Sequence, residues 1–245
     1  MSNMKEATTT AHVHAIVYGE PKTGKSTFMG TFPEPAFLIL TEPDKSQYIG
    51  KNIDFVELSP TSANAYDELI DIIEMLQDKM DSGNFPYQAV IVDSLTELAA
   101  IFEKRILSTN NREYKPFDKR QRKYDDHSMG MRIQDWGIFK AMLEQFTRNI
   151  HVLPCHTVMS AHEYVKESGD NKVLKGCLSI SGNFGETGTK LFNTVLRSRA
   201  KTQGSNTRYY MQTKPAQLFT AGIWGNSLPL EWEDATFDAL IKATK

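Results

Sequence analysis

The stretch Gly19-Glu20-Pro21-Lys22-Thr23-Gly24-Lys25-Ser26 concentrates the residues best suited to chemistry. It fits the phosphate-loop spacing G-x-x-x-x-G-K-[ST]. Gly19 and Gly24 let the backbone turn and approach an anion with no Cβ in the way. Glu20, Pro21, Lys22 and Thr23 form the loop between them. Lys25 then brings an ammonium to the β- and γ-phosphates of a nucleotide, and Ser26 offers a hydroxyl to Mg²⁺. Thr27 follows in a helix whose positive end faces the anion. Two acids extend the set. Asp93 closes the apolar run Ala89–Val92, and a carboxylate there, downstream of such a loop, suits Mg²⁺ beside Ser26. Glu42 follows the apolar run Ala36–Leu40, where a carboxylate can orient or deprotonate the water that attacks a γ-phosphate. Tyr48, in the loop after Glu42, is placed either to stack on adenine or to pack in the core. ATP with Mg²⁺ is therefore the expected ligand pair. His12, His14, His151 and His156 show no metal-ligand spacing and read as strand or edge residues.

These side chains need rigid elements behind them. Val13–Val17 is a short apolar run that hands over to the loop, and a helix is expected from Lys25 to about Thr31, stopped by Pro33 and Pro35. Ala36–Leu40, Ile53–Leu58, Ala89–Val92 and His156–Ala161 read as strands. Helical periodicity covers Ser62–Met80, with Leu69, Ile72, Ile73, Leu76 and Met80 on one face. Leu95–Leu107 and Asp135–Phe146 also read as helices. Thr194–Ala200 and Thr207–Thr213 alternate as a hairpin around Gln203-Gly204-Ser205-Asn206, and Gln217–Ala221 reads as a further strand. Asp234 is expected to cap a final helix over Ala235–Lys242. Alternation of β and α up to about residue 163 predicts an α/β fold with a mostly parallel sheet covered on both faces, and antiparallel strands added near the C-terminus.

With 245 residues, 40% of them apolar, the chain suits one domain, expected over 12–245 behind a flexible tail at 1–11. A net charge of −2 excludes a polycation, so nucleic acid would have to meet a local patch. Two cysteines without CxxC spacing point to a reducing compartment. No apolar run approaches a membrane span, and the first ten residues lack the apolar centre of a signal peptide. The expected location is the cytoplasm, that of the host if a phage encodes the chain.

Taken together, the phosphate loop, Phe37-Leu38-Ile39-Leu40-Thr41-Glu42 and Val90-Ile91-Val92-Asp93-Ser94 resemble the ATPase core of RecA-type recombinases. In that family the catalytic glutamate comes from the strand after the P-loop helix. In AAA+ and helicase enzymes it follows the metal-binding aspartate, and here that next residue is Ser94. The resemblance implies a RecA-like P-loop fold and roles for several later residues. Met159-Ser160-Ala161-His162 is similar to the strand that ends in a γ-phosphate sensor, with His162 where the family usually has Gln. Gly182–Phe192 resembles the glycine-rich loop on single-stranded DNA and the helix after it. Tyr209-Tyr210-Met211-Gln212-Thr213-Lys214 resembles the strand that carries a lysine into a neighbouring subunit's ATP site. Lys214 reads equally as an exposed strand-end lysine. No N-terminal polymerisation module is seen, so the closest likeness is to compact phage RecA-like ATPases that act as single-strand annealing proteins.

Two irregular stretches, 110–134 and 164–188, supply cations and aromatics. Arg112, Lys115, Lys119, Arg120, Arg122, Lys123 and Arg132 are interleaved with Tyr114, Phe117 and Tyr124. Cations neutralise phosphates and aromatic faces stack on unpaired bases. A solvated face with i,i+4 pairs is the plainer alternative. Lys166, Lys172 and Lys175 form a second basic set, or an exposed hairpin. The expected activity is DNA-stimulated ATP hydrolysis in recombination, by annealing or strand exchange. The expected partners are single-stranded DNA, further copies of the chain and a single-strand-binding protein. Two alternatives stay open: a phosphotransferase on a small acceptor, with 112–132 as its lid, and a DNA-annealing module that uses ATP only structurally.

Overall fold

β1 (His14–Gly19) ends at the phosphate loop and lies at the centre of the sheet. Its β-branched and aromatic side chains are buried on both faces, as a strand needs when helices cover it on either side. A computed structural model describes residues 12–109, 131–167, 173–204, 206–216, 218–223 and 228–244. The tail 1–11 and the basic stretch at 110–130 lie outside the described residues. So does Lys172.

β1 is followed by α1 (Lys25–Met29), β2 (Ala36–Leu40), β3 (Ile53–Glu57), α2 (Ala65–Asp81), β4 (Ala89–Asp93) and α3 (Leu95–Thr109). Then come α4 (Ile133–His151), β5 (His156–Glu167), β6 (Val173–Leu178), α5 (Asn183–Thr187), β7 (Thr194–Gln203), β8 (Asn206–Gln212), β9 (Glu231–Glu233) and α6 (Phe237–Thr244). The sheet order is β3-β2-β4-β5-β1-β7-β8-β9, with β6 paired to β5. Strands β3, β2, β4, β5, β1 and β7 run parallel. β8, β9 and β6 add antiparallel pairs. The expected α/β architecture with antiparallel strands toward the C-terminus is the one observed.

Alternate residues of each central strand face two apolar layers. Ile16, Tyr18, Phe37, Ile39, Val90, Val92 and Met159 pack on α2, α3 and α4 through Leu69, Leu76, Leu98, Phe102, Phe139 and Leu143. Ala15, Val17, Leu38, Leu40, Ile91, Val158 and Leu196 pack on Phe28, Met29, Phe32, Phe237 and Leu240 of α1, the turn after it and α6. All parallel strands point their C-terminal ends to one edge. That edge collects Gly19, Glu42, Asp93 and His162.

Several boundaries differ from expectation. α1 stops at Met29, two residues before Thr31, and α4 starts at Ile133 because the Asp135 carboxylate accepts the Arg132 N–H at 2.7 Å. β5 continues past Ala161 to Glu167, and part of the stretch expected to be irregular is ordered as β6, α5 and a 3₁₀ turn. Around the expected strand Gln217–Ala221, Gln217 lies outside the described residues, and Ala216, Phe219 and Gly222 make isolated bridges. Asp234 does not cap α6: it sits at φ 49°, and the Thr236 hydroxyl accepts the Ala239 N–H at 3.4 Å instead.

The opposite end of the sheet gathers four imidazoles. His14 stacks on His151 at 4.5 Å, and His12 meets His156 edge-on at 5.2 Å. Burial, with His14 and Arg148 nearby, pushes His151 down to about 3; burial, with His12 and His14, pushes His156 down to about 4. The fold thus keeps both neutral while the unfolded chain takes up protons below the ordinary value of 6.5. The stability they contribute is complete above pH 6.5 and is lost as pH falls toward 4 and 3. Urea midpoints at pH 7 and pH 5 should therefore separate for the parent protein, and His151→Phe should recover roughly 1 kcal/mol of the acid loss. Equal losses in both proteins would contradict this account.

Candidate nucleotide site

The phosphate loop is built by close packing around Gly19. A Cβ there would lie 2.4 Å from the Ser198 carbonyl oxygen of β7, so only glycine lets β1 and β7 close up at this point. Ser198 Oγ lies 2.7 Å from Thr23 Oγ1, which donates to the Glu20 carbonyl at 2.7 Å. Gly24 enters α1 at φ 89°, a left-handed conformation glycine adopts without strain. Lys25 is buried and folds back to donate to the Gly19 and Glu20 carbonyls at 3.1 and 2.8 Å. Burial lowers its pKa, opposed by the nearby charges of Asp93, Glu42 and Glu163.

Asp93 is 2% exposed and is held by three hydroxyls. Ser26 Oγ and Tyr48 OH both donate to its Oδ2 at 2.8 Å, and Ser160 Oγ donates to Oδ1 at 2.5 Å. A buried carboxylate needs such donors to offset its lost hydration. The expected juxtaposition of Ser26 with Asp93 is present, and both offer hard oxygen ligands suited to Mg²⁺. Ser160 was not anticipated. Its signal was a small hydroxyl inside the apolar run of β5.

Glu42 is reached from two sides. Ser94 Oγ donates to its Oε1 at 2.7 Å, and His162 Nε2 donates to the same oxygen at 3.0 Å. The His162 hydrogen bond is the largest influence holding Glu42 below the usual carboxylate range; partial burial opposes it, and Ser94 and Lys25 assist. His162 Nδ1 is buried with no hydrogen-bond partner among the described residues. The His162 backbone N–H donates to Thr96 Oγ1 of α3 at 2.9 Å, which fixes the end of this part of β5.

Tyr48 does not take the place of a base-stacking ring. It is 6% exposed, and its hydroxyl is committed to Asp93, so the ring belongs to the core beneath the loop. Beside the loop is an open cleft of ≈ 540 Å³ lined by Lys22, Gly24, Thr27, Gln47, Tyr209 and Asp234 among others. Tyr209 lies over Gly24, with ring carbons 3.4–3.5 Å from where a Cβ would be, and is 45% exposed. Tyr210 also lines the cleft, and Tyr209 is the ring laid over Gly24. Alternation along β8 carried the signal, because it places Tyr209 on the same face as buried Met211.

Other expected site residues are placed elsewhere. Lys214 lies beyond Gln212, which pairs with Arg197 opposite Tyr18, so β8 has already run past the level of Gly19. The fold does not bring Lys214 to its own phosphate loop. Lys166 and Lys175 sit on the β5–β6 hairpin, and both pair with Glu186, at 3.1 and 3.7 Å. Arg112, Lys115, Lys119, Arg120, Arg122, Lys123 and Lys172 lie outside the described residues; Arg132 is exposed at the start of α4.

A family model described as an AAA domain matches residues 11–223. No curated protein matches the chain. The matched segment contains the loop, Glu42, Asp93, His162 and Tyr209. Tyr209→Ala should weaken binding of a fluorescent ATP analogue by about tenfold, the effect of losing one base–aromatic stack. An unchanged dissociation constant in an anisotropy titration would remove Tyr209 from the base site.

Proposed function

The chain belongs to the AAA-domain family of P-loop NTPases, and on that premise we propose that it is a Mg²⁺-dependent ATPase of RecA-like type. In this reading it binds single-stranded DNA and acts with further copies of itself in recombination, by annealing or strand exchange. The observation that carries the proposal is Glu42, two residues past the end of β2, hydrogen-bonded to both Ser94 and His162. A second acid at the phosphate-loop end of the sheet thus comes just after the strand that follows α1, and its partner is the residue at the sensor position.

The residues divide the work by chemistry. Lys25 gives up the Gly19 and Glu20 carbonyls and turns its ammonium to the β- and γ-phosphates. Ser26 and Asp93 would hold Mg²⁺, which when bound offsets charge on the same phosphates. Glu42, ionised well into the acidic range, orients the attacking water by accepting its hydrogen bond. Tyr209 takes the face of adenine. His162 faces the γ-phosphate side and leads into the β5–β6 hairpin. Lys166 and Lys175 there, with the basic and aromatic stretch 112–132, supply phosphate contacts and stacking for a single strand. In this reading Lys214 serves a neighbouring subunit's nucleotide, which makes the assembly a homo-oligomer.

ATP turnover at low salt, with and without single-stranded DNA, tests the reading. Turnover should rise with DNA, and Lys25→Ala should abolish it. Glu42→Ala should lower kcat by about 10²–10⁴-fold while nucleotide binding persists. Turnover indifferent to DNA, with no DNA binding in a filter assay, would overturn the recombination assignment. Undiminished turnover in Glu42→Ala would overturn the role of the acid.

A further inference from the structure

Glu163 and Arg197 form a buried ion pair that the nucleotide chemistry does not use. Arg197 Nε donates to Glu163 Oε2 at 2.5 Å and Nη2 donates to Oε1 at 2.8 Å. The side chains are 12% and 3% exposed. Removing two charges from water costs nearly what their attraction returns, so a buried pair is a weak stabiliser and a strong orienting device. Its place in the fold shows what it orients. Glu163 directly follows His162 on β5. Arg197, on β7, pairs with Tyr18 of β1, the residue before Gly19. The pair therefore spans β1 immediately beneath the phosphate loop.

A strap, residues 218–222, closes over this pair. The Arg197 guanidinium lies 3.3 Å from the centroid of the Phe219 ring. The same ring presses on Gly176 of β6, where a Cβ would come within 2.1 Å of two ring carbons. The Gly176 N–H donates to the Leu218 carbonyl at 3.1 Å. Tyr18 OH donates to the Thr220 carbonyl at 2.6 Å, and Gly222 exchanges backbone hydrogen bonds with Val195 at 2.7 and 2.9 Å. The strap is thus fastened to β6, β1 and β7 at once. Glu163, Arg197, Phe219 and Gly176 form one packed series from the neighbour of His162 to the middle of the β5–β6 hairpin.

We propose that Arg197 is a positioning residue that couples the nucleotide site to the β5–β6 hairpin, holding β5 beside His162 through Glu163 and holding β6 through Phe219. A shift of His162 from Glu42 toward a γ-phosphate moves Glu163 with it. Arg197 and Phe219 then carry the shift to Gly176, because ring, guanidinium and glycine are in contact and no gap absorbs it. The proposal rests on the nucleotide reading of the site and is independent of DNA.

The test is hydrogen–deuterium exchange of the full chain, with and without ATPγS and Mg²⁺, for the parent protein, Phe219→Leu and Arg197→Lys. Binding of a fluorescent ATP analogue is measured on the same samples. In the parent, nucleotide should slow exchange over 173–178 by about fivefold, the scale of a typical coupling between sites. Both variants should bind the analogue within about twofold of the parent and lose most of that slowing. Slowing that persists in both variants, or is missing in a parent that binds nucleotide, overturns the coupling and leaves the ATPase reading intact. Uniformly faster exchange with the nucleotide-dependent difference preserved marks a merely structural pair and also overturns it. A parent that binds no nucleotide overturns the ATPase reading, and the coupling with it.

Discussion

The structure turns on the carboxylate of Asp93. It is withdrawn from water at the end of β4 and must be hydrogen-bonded where it sits. Its donors come from three separate elements: Ser26 on α1, Tyr48 on the turn after β2, and Ser160 on β5. Satisfying it therefore fixes the first turn of α1, the path of the chain after Glu42 and the register of β5 against β4. It also commits Tyr48. A ring whose hydroxyl serves a buried acid cannot leave to stack on a base, and β8 lines the cleft with Tyr209 and Tyr210 instead.

A second junction aims Glu42. Thr41 Oγ1 accepts the Ser94 N–H at 2.8 Å and donates to the Ser94 carbonyl at 2.9 Å. The N–H groups of Thr41 and Glu42 both donate to the Asp93 carbonyl, at 2.7 and 3.1 Å. The ends of β2 and β4 are thereby joined, and the Glu42 side chain emerges toward Ser94 and His162. Hydrogen bonds to its charged form keep that carboxylate ionised, which makes it a weak base. Orienting water suits such a group better than removing its proton. Asp93 and Glu42 thus reach the site from the ends of adjacent strands.

What the sequence made legible follows from how local each signal was. The phosphate loop is contiguous, and Asp93 and Glu42 end apolar runs, so each was visible without knowing its neighbours. The parallel core was visible because strands buried on both faces are apolar throughout. The β5–β6 hairpin was obscured because it is half-exposed: Lys166 and Lys175 face each other across it, and the alternation that marks a one-sided strand is blurred by Gly176 and Cys177. Asp234 has the chemistry of a cap, but its backbone turns left-handed and Thr236 serves instead. Tyr48 and Tyr209 are the same residue type in plausible loops and strands. Only the three-dimensional position of Asp93 decides which one is consumed.

The arrangement around Glu42 constrains any order of events at this site. A single N–H, His162 Nε2–H, faces the Glu42 Oε1 that Ser94 also occupies. That proton cannot serve Glu42 and a γ-phosphate oxygen together. Nδ1, on the far side of the ring, is enclosed and cannot stand in for it. In the proposed reading, engagement of a phosphate by His162 would release part of Glu42, and the freed lone pair is where a water would be held. The backbone N–H of His162 stays with Thr96 throughout, so the imidazole changes partner from a fixed anchor. In that reading, substrate presence and readiness of the acid become one event, set by the hydrogen-bonding capacity of one imidazole.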